Sequence, residues 1–538
     1  MKKLLILLIT WSILMMGLSL VAQNTFQKTF GGSGIESSGK LIVTSDSNYL
    51  WTGYTTSISG DSYDAILSKN ESNGNFIWTK TYDKNVYDFS TSLFETSDGG
   101  YIIIGNSSDT ATSKIMIIKT DENGDTLWTK FYENTFFSYA NEIIQTNDNG
   151  YLITANLKHT SSYQQSILLL KIDSFGDLLW SKRYYKSWDC GVSGIIQTSD
   201  NGFMIIGYVS DPTIQYEALV LKTDSVGNII WAKRFGSNNH LYEWTNTIIM
   251  TTDNNYLISG TNNSEESINL IKITNTGDTI WTRNIIDTIP TLFSYYYSAK
   301  IKETPDGYII SGTEACGYNS SSLDSASIYL VKTDFNGIPI WSRKFGNIHN
   351  YYGEGLSDIN CTKDNGYIIN GHSTDAGVNP FGNMEIYLIK TDNFGVSNCN
   401  NLPVGFSVIP FTTIIDTTSF TIETIPFNIT SGLIIANPNF TDSLLCYTTN
   451  VNNISYSQPM ISCNPNPFND HCYIEINNIS HAVFSILIYD ISGKLIQEKM
   501  NISDEKITIE KGNMNKGLYF FQVRNEREIL SSGKFIIE

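Results

Sequence analysis

Two markers recur along most of the chain at a spacing of about 50 residues, and this repeat limits the possible folds more than any other feature. The first marker is an Asp turn followed by an aromatic residue and a short apolar run, as in SDGGYIIIG, and it occurs seven times. The second, as in KTDENGDTLW, occurs seven times up to its glycine but reaches its tryptophan only six times. Those tryptophans are Trp78, Trp128, Trp180, Trp231, Trp281 and Trp341.

The seventh copy of the second marker, KTDNFGVSNCN, lacks the tryptophan strand, and a matching strand stands near the start of the chain as TFQKTFGG, with Phe26 at the tryptophan position. Each repeat predicts four short strands joined by tight turns, because Gly and Asn tolerate positive φ. Two incomplete ends that make one complete repeat indicate a closed ring. We predict an all-β protein with a seven-bladed β-propeller over residues 24–400. A β-solenoid is the alternative, but it gives no reason to divide one repeat between the two ends.

The repeated residues are interpreted as structural. A position that is filled in every blade meets the same surroundings each time, whereas a single ligand meets each blade differently. Thr274 stands at the acid position of one copy, which argues against a catalytic or metal-binding acid. The turn from Asp121 to Asp125 is similar to the start of a calcium loop but lacks the distant bidentate Glu, so a hairpin turn is predicted. The Lys that opens each copy is expected to pair with an acid or a turn carbonyl.

The pattern K-x-D-x-x-G-x-x-x-W resembles the tryptophan-docking motif of bacterial quinoprotein propellers. That resemblance implies that each tryptophan ties its blade to the next by stacking and hydrogen bonding. The gap between Asp and Gly is one residue shorter here, and seven copies replace the usual eight of that family.

The links between repeats are the candidate binding surface. If the Phe26 strand is the outer strand of the last blade, the Asp turns lie on one face and the longer links lie on the other. Loops on a rigid scaffold carry function, and exposed aromatic residues suit sugars or protein surfaces. Packing against neighbouring loops is the alternative for each residue. The ligand-binding candidates are Tyr87, Phe137, Tyr139, Trp188, His240, Trp244, Tyr296, Tyr351 and Tyr352.

Catalytic and cofactor motifs are not found. No nucleophile elbow, HExxH or paired-carboxylate spacing rises above chance, and six scattered histidines form no metal pattern. The sequence therefore predicts no catalytic residue, no metal and no cofactor. A net charge of −18 argues against nucleic acid or an anionic membrane as partner. Seven cysteines without CxxC spacing leave Cys399–Cys446 and Cys463–Cys472 as conceivable disulfides.

The chain begins like an exported protein. Residues 1–22 have two lysines, an apolar run and a small residue, Ala22, which is the layout of a cleaved signal peptide. A membrane anchor is the alternative, because the apolar run is nearly long enough to span. No later stretch reaches that length, so we expect no membrane span in the mature chain.

The repeat ends near residue 400. Residues 401–453 are rich in Thr and Ile, and they are open to interpretation as a small β segment or an extended connector. Residues 455–538 predict a small Ig-like β-sandwich. They resemble the type A C-terminal sorting domain of cargo of the type IX secretion system of Bacteroidetes. The matching landmarks are Asn464-Pro465-Asn466-Pro467, Asp490, Gly493, Lys494, Gly517, Tyr519, Phe520, Gly533, Lys534 and Phe535.

The sorting-domain resemblance implies recognition by the type IX machinery, and release from the cell or attachment to its outer surface. The leading hypothesis is a non-enzymatic propeller that binds an extracellular glycan or protein. A propeller enzyme, such as a quinoprotein-like dehydrogenase or a polysaccharide hydrolase or lyase, is the alternative. A purely structural surface protein is the third.

Overall fold

The computed structural model describes residues 23–537 apart from 59–61, 85, 110–111, 159–163, 212–213, 237–242, 263–265, 288–292, 320–321, 347–354, 374–383, 398–400, 404–405, 410–413, 431–433, 437–440, 449–460, 465, 477–483, 491–494, 503–505, 513 and 525–528. Its regular elements are β-strands throughout the described residues. The chain divides into two compact units, the first ending at Asn450 and the second running over Val451–Glu538.

The first unit is a seven-bladed β-propeller, as predicted. Its first strand is β1 (Thr25–Gly31). Blade 1 contains β2 (Glu36–Val43), β3 (Tyr49–Thr55), β4 (Asp64–Asn70) and β5 (Phe76–Asp83), and blade 2 contains β6 (Tyr87–Glu95), β7 (Tyr101–Ser108), β8 (Ser113–Thr120) and β9 (Thr126–Glu133). Blade 3 contains β10 (Phe137–Gln145), β11 (Tyr151–Lys158), β12 (Gln165–Ile172) and β13 (Leu178–Tyr185).

Blades 4 to 7 follow the same order. Blade 4 contains β14 (Cys190–Gln197), β15 (Phe203–Asp211), β16 (Ile214–Thr223) and β17 (Ile229–Gly236), and blade 5 contains β18 (Glu243–Met250), β19 (Tyr256–Asn262), β20 (Ser267–Ile273) and β21 (Thr279–Asp287). Blade 6 contains β22 (Phe293–Thr304), β23 (Gly307–Asn319), β24 (Ser322–Thr333) and β25 (Pro339–Phe345). Blade 7 contains β26 (Gly355–Cys361), β27 (Tyr367–Ser373) and β28 (Glu385–Thr391), and β1 completes it as the fourth strand.

The apolar cores lie between the blades. The two middle strands of each blade, such as β7 and β8, are buried along nearly their whole length, because both faces of every sheet are covered by neighbouring sheets. One core joins Ile104 and Ile115 of blade 2 to Ile153 and Leu168 of blade 3. The core between blades 7 and 1 contains Phe26, so the ring closes through the same kind of packing as elsewhere.

Each outer strand docks onto the next blade through its aromatic residue. The ring of Trp128 covers the turn at Gly176, where an added Cβ would come within 2.8 Å of the ring. At the closure, Phe26 covers Gly74 in the same way, at 2.7 Å. Gly176 has φ of +78°, which glycine adopts without the penalty that a side chain brings. Lys130 extends the Trp128 contact with an ion pair to Asp177 at 2.5 Å.

A Thr–Asp–Lys triad recurs in all seven blades at the Asp turns. In blade 3, Lys171 Nζ lies 2.9 Å from Asp148, whose carboxylate also accepts hydrogen bonds from the Thr146 hydroxyl and the Gly150 amide. The seven Lys–Asp distances are 2.6–2.9 Å. The pairs are Lys69–Asp46, Lys119–Asp98, Lys171–Asp148, Lys222–Asp200, Lys272–Asp253, Lys332–Asp306 and Lys390–Asp364. The Lys ammonium of each copy is therefore paired with a carboxylate of its own blade.

The order of strands defines two faces. The turns between the first and second strands and between the third and fourth strands lie on one side, which we call the turn face. The connections between the second and third strands and between blades lie on the other side, which we call the link face. Both assignments follow from the antiparallel order of the sheets.

Seven short strands between residues 401 and 448 each add a fifth strand to one blade; we call this set of strands the belt. It visits blades 6, 5, 4, 3, 2, 1 and then 7, and each pairing is antiparallel to an outer strand. Its strands are β29 (Asn401–Pro403), β30 (Phe406–Ile409), β31 (Ile414–Thr417), β32 (Thr421–Glu423), β33 (Asn428–Thr430), β34 (Ile434–Ala436) and β35 (Thr441–Thr448). The closing strand β1 is held between β28 and β35.

Side chains fix the belt at blades 2 and 3. Ile425 is 5% exposed and lies in the core between blades 2 and 3. Glu423 pairs with Arg183 at 2.6 Å, and Phe427 packs edge-on against Tyr132 with ring centroids 6.1 Å apart. The belt therefore contributes to the propeller core as well as to its hydrogen-bonded edges.

The second unit is a two-sheet sandwich. One sheet holds β36 (Ile461–Asn464), β37 (His471–Ile476) and β40 (Lys506–Glu510), and the other holds β38 (Phe484–Asp490), β39 (Leu495–Ile502), β41 (Gly517–Arg524) and β42 (Ile529–Ile537). Its core includes Phe468, Tyr519 and Phe535. Cys472 is buried in this core, and its conceivable disulfide with Cys463 stays a prediction. Cys399 lies outside the described residues, so its pairing with Cys446 stays a prediction.

We expect Ile425→Ala to lower the free energy of unfolding of the propeller by about 2–4 kcal/mol, because it leaves a cavity in a packed core. Ile422→Ala in β32 is the matched control, since Ile422 is 37% exposed and its truncation should cost less than about 0.5 kcal/mol. Urea unfolding followed by tryptophan fluorescence measures both. Equal destabilisation by the two variants would show that the belt does not contribute to the core as described.

Acid should weaken the blades through the Asp turns. Burial alone would raise the pKa of Asp148, but hydrogen bonds from Thr146, Lys171 and Gly150 lower it to about 2, against an ordinary value of 3.8. Asp200 behaves in the same way, with a pKa of about 2. A depressed folded-state pKa stabilises above the ordinary value, and that stabilisation is lost as the pH falls towards about 2.

The double variant Asp148→Asn/Asp200→Asn tests this acid dependence. It should be less stable than the wild type at pH 7 but lose less stability between about pH 4 and pH 2, because two of the titrating carboxylates are gone. Urea midpoints across that range give the comparison. An identical acid loss in both proteins would mean that these carboxylates do not titrate as the geometry indicates.

Candidate functional site

A column of residues on the innermost strands surrounds the mouth of the central channel on the link face. Each member stands seven residues before the Thr of the Asp turn, so the seven blades supply equivalent positions. Tyr139 is 45% exposed and Tyr297 is 42% exposed, while Phe89 and Trp244 are half-buried. The column reads Ser37, Phe89, Tyr139, Gly191, Trp244, Tyr297 and Gly355. Four of the seven blades thus place an aromatic ring there.

In the other three blades the second strand supplies the missing ring. Tyr208 is paired with Gly191 across the strands, and an added Cβ on Gly191 would lie 2.5 Å from the Tyr208 ring. His372 covers Gly355 in the same way, at 2.2 Å. Glycine is required at both positions because the ring occupies the space of the side chain.

In blade 1, Tyr54 is paired with the small Ser37. Every blade therefore carries a ring-bearing side chain at this level. We call the set the aromatic collar: Tyr54, Phe89, Tyr139, Tyr208, Trp244, Tyr297 and His372.

Neighbouring aromatic residues hold parts of the collar in place. Tyr208 contacts Trp244 of the next blade with ring centroids 4.9 Å apart, and Tyr216 stacks on Trp244 at 4.7 Å. Burial, aided by the nearby Asp189 carboxylate, raises the pKa of the Tyr208 phenol, which stays neutral. Burial also lowers the pKa of His372, so its imidazole is neutral at pH 7. Tyr208, Trp244 and His372 of the collar are therefore uncharged.

A second column lies three residues further along the same strands, deeper in the channel. It contains Lys40, Ser92, Glu142, Gly194, Thr247, Lys300 and Asp358. We call this set the charged floor. Lys40 of blade 1 reaches Glu142 of blade 3 with an ion pair of 2.6 Å. Glu142 also accepts a hydrogen bond from the Ile195 amide of blade 4 at 3.2 Å.

The ion pair at the floor keeps Glu142 ionised. Burial alone would raise the pKa of Glu142, but Lys40, the nearby Lys300 and the Ile195 amide together lower it. Burial alone would lower the pKa of Lys40, but Glu142 and Asp358 raise it. Asp358 accepts the Leu41 amide at 3.2 Å and its own neighbouring amide at 2.9 Å. No group of three His, Cys, Asp or Glu side chains that would hold a metal is found among the described residues.

The terminal sandwich brings its sequence landmarks together. The Asn466 side chain accepts a hydrogen bond from the Ile536 amide at 2.8 Å and donates one to the Lys534 carbonyl at 3.2 Å. Tyr519 stacks on Phe535 with ring centroids 5.7 Å apart. The family model described as "Secretion system C-terminal sorting domain" matches residues 462–538. Residues 462–538 are a type IX sorting domain.

The sorting domain marks the chain for type IX export, to the cell surface or beyond it. Lys534 is exposed on β42, and Gly517 begins β41. Gly493 and Lys494 lie outside the described residues, as does the predicted signal peptide over residues 1–22. Among the described residues, no helix has the length and apolarity to cross a membrane.

The likenesses of the whole chain to known proteins are distant. None of the curated proteins matches it. Similar solved structures include Sqt1 from Chaetomium thermophilum, at 10% identity over 70% of this chain and 90% of that one, with a TM-score of 0.34. An exo-β-1,3-galactanase from Phanerochaete chrysosporium matches at 10% identity over 75% and 95%, with a TM-score of 0.29.

PorZ of Porphyromonas gingivalis, a surface component of the type IX system, matches at 9% identity over 95% of this chain and 100% of that one, with a TM-score of 0.15. With TM-scores below 0.5, these likenesses carry no functional argument.

The ligand-binding candidates from the sequence lie in several different places in the structure. Tyr139 and Trp244 belong to the collar. Tyr87 contacts Tyr63 at 5.6 Å on the link face outside it, and Trp188 lies in an inter-blade link with 50% of its surface exposed. Phe137 is half-buried at the start of β10. His240, Tyr351 and Tyr352 lie outside the described residues.

The expectation that Tyr296 is a surface residue is wrong. Tyr296 is 1% exposed and packs in the core between blades 5 and 6, because alternation along β22 sends its neighbour Tyr297 outwards. Sequence reasoning missed Tyr297 and also four other members of the collar: Tyr54, Phe89, Tyr208 and His372. Aligning the repeats on their turn threonines reveals the column, but the rings of Tyr54, Tyr208 and His372 come from a different strand.

Lys40→Met should lower the free energy of unfolding by about 1–3 kcal/mol, because it leaves the Glu142 carboxylate without its cation. The double variant Lys40→Met/Glu142→Gln should recover part of this loss, since it removes the unpaired charge. Thermal and urea unfolding of the three proteins measure the difference. Equal losses in the single and double variants would show that the pair does not interact as its distance indicates.

Proposed function

We propose that the propeller is a non-enzymatic binding protein that captures an extracellular glycan in the aromatic collar. The observation that supports this proposal is the ring-bearing side chain in every blade. Where the inner strand carries Ser37, Gly191 or Gly355, a residue of the second strand takes its place. Blade packing alone does not require such replacement at an exposed channel mouth. A surface that surrounds a ligand does require it, because each blade then has to supply a contact residue.

Tyrosine and tryptophan suit a sugar ring because each combines a flat apolar face with a polar tip. A pyranose offers the matching surface, with C–H groups on its faces and hydroxyls around its rim. Tyr139 and Tyr297 expose more than two fifths of their surface towards solvent. Clustered exposed aromatic residues commonly mark a binding site.

The charged floor supports binding rather than hydrolysis. A hydrolytic acid at neutral pH needs a raised pKa so that it keeps its proton. The pKa of Glu142 is lowered instead, and its carboxylate is held by Lys40 and by the Ile195 amide. Asp358 likewise accepts two amide hydrogen bonds. Both groups are arranged as fixed hydrogen-bond acceptors.

A glycan array probed with the purified mature protein tests the proposal. Tyr139→Ala and Tyr297→Ala should each weaken binding about tenfold, equivalent to about 1.4 kcal/mol, because each removes a stacking surface. Trp188→Ala is the matched control: it removes an equally exposed aromatic side chain outside the collar and should leave binding unchanged. Binding that is lost only in Trp188→Ala would move the site to the links. Binding to proteins but to no glycan would contradict the assigned ligand class.

A further inference from the structure

The collar and the floor form one pocket with its opening on the link face. Tyr139 and Glu142 lie on the same strand, three positions apart, as do Tyr297 and Lys300. A β-bulge lies between the two positions, since Tyr139 is paired with Asn156 and Glu142 with Thr154. The floor therefore lies two strand steps, about 7 Å, below the collar. This depth is about the length of one sugar unit.

The floor narrows the channel from several directions. Lys40 reaches from blade 1 to blade 3, past the small Ser92 of blade 2. The Glu142 carboxylate reaches Gly194 of blade 4 and would lie in ordinary contact, at 3.6 Å, with a Cβ added there. Lys300 of blade 6 is near enough to influence Glu142, although their blades are not adjacent. Side chains from blades 1, 3 and 6 therefore converge on the axis.

The floor also has no net formal charge. Two ammonium groups, Lys40 and Lys300, face two carboxylates, Glu142 and Asp358. A pocket for a carboxylate or an amine terminus requires an excess of the opposite charge. A balanced set of donors and acceptors matches hydroxyl groups, which both donate and accept hydrogen bonds. Among the described residues, the Lys300 ammonium has no hydrogen-bond partner, so it is free to donate to a ligand.

We propose that the pocket reads the free end of a neutral glycan, which enters along the channel axis and places the hydroxyls of its terminal sugar on the charged floor. The inference rests on the proposed function. A ring of side chains encloses what it binds, so an internal segment of a long chain would have to thread through the channel. The Lys40–Glu142 pair stands across that path.

The test uses an array of neutral linear oligosaccharides, each attached through its reducing end. Next to each one stands the same oligosaccharide with one different sugar added at its free end. Cyclic oligosaccharides of the same linkage serve as competitors that have no end. For each bound glycan, terminal extension should weaken binding at least tenfold, and the cyclic competitor should not displace the protein. Oligosaccharides that end in a uronic acid should bind more weakly than their neutral counterparts.

Lys300→Met should weaken binding to the free terminus about tenfold with an unchanged melting temperature, and Lys300→Arg should retain much of the affinity because it keeps a donor. Equal binding of extended, cyclic and unmodified chains would overturn end recognition while leaving glycan binding intact. A preference for uronic-acid ends would overturn the neutral terminus. No binding to any glycan would overturn the proposed function, and the present inference with it.

Discussion

The packing of one aromatic ring onto the glycine turn of the next blade is the contact on which the propeller depends. It occurs at Trp128 over Gly176 and again at Phe26 over Gly74, where the two ends of the ring meet. A side chain at either glycine would collide with the ring, and the positive φ of the turn disfavours any other residue. Because each of these rings is engaged by the neighbouring blade, the motif stabilises the propeller, and a ligand site has to be built from other residues.

The blade number and the closing strand were predictable because every blade solves the same packing problem, and the solution repeats in the sequence. The belt was not predictable in the same way. Its strands are three to eight residues long, too short for a periodic pattern, and their partners are remote in the chain: Glu423 pairs with Arg183. Such a segment carries no local signal that it will join the edges of seven different sheets.

The collar was partly predictable. The aromatic links pointed to Tyr139 and Trp244, but the choice of Tyr296 failed by one residue, which in a strand is the difference between core and solvent. Tyr208 and His372 escaped notice because they belong to second strands, which read as the body of the blade. Their role is visible only once Gly191 and Gly355 are seen beneath them. Where the second strand supplies the ring, the aligned position of the first strand holds only a small residue, so an alignment of the repeats does not show the ring.

The two columns of the inner strands follow opposite rules. The collar keeps one chemical character while changing the strand that supplies it, whereas the floor keeps its strand while changing its chemistry from Lys40 to Glu142 to Gly194. A constant ring and a varied floor are what a pocket for one ligand requires: the wall meets the ligand from all sides, and the base meets its end at a few specific atoms. The sevenfold repeat supplies the wall. Departures from that repeat supply the specificity.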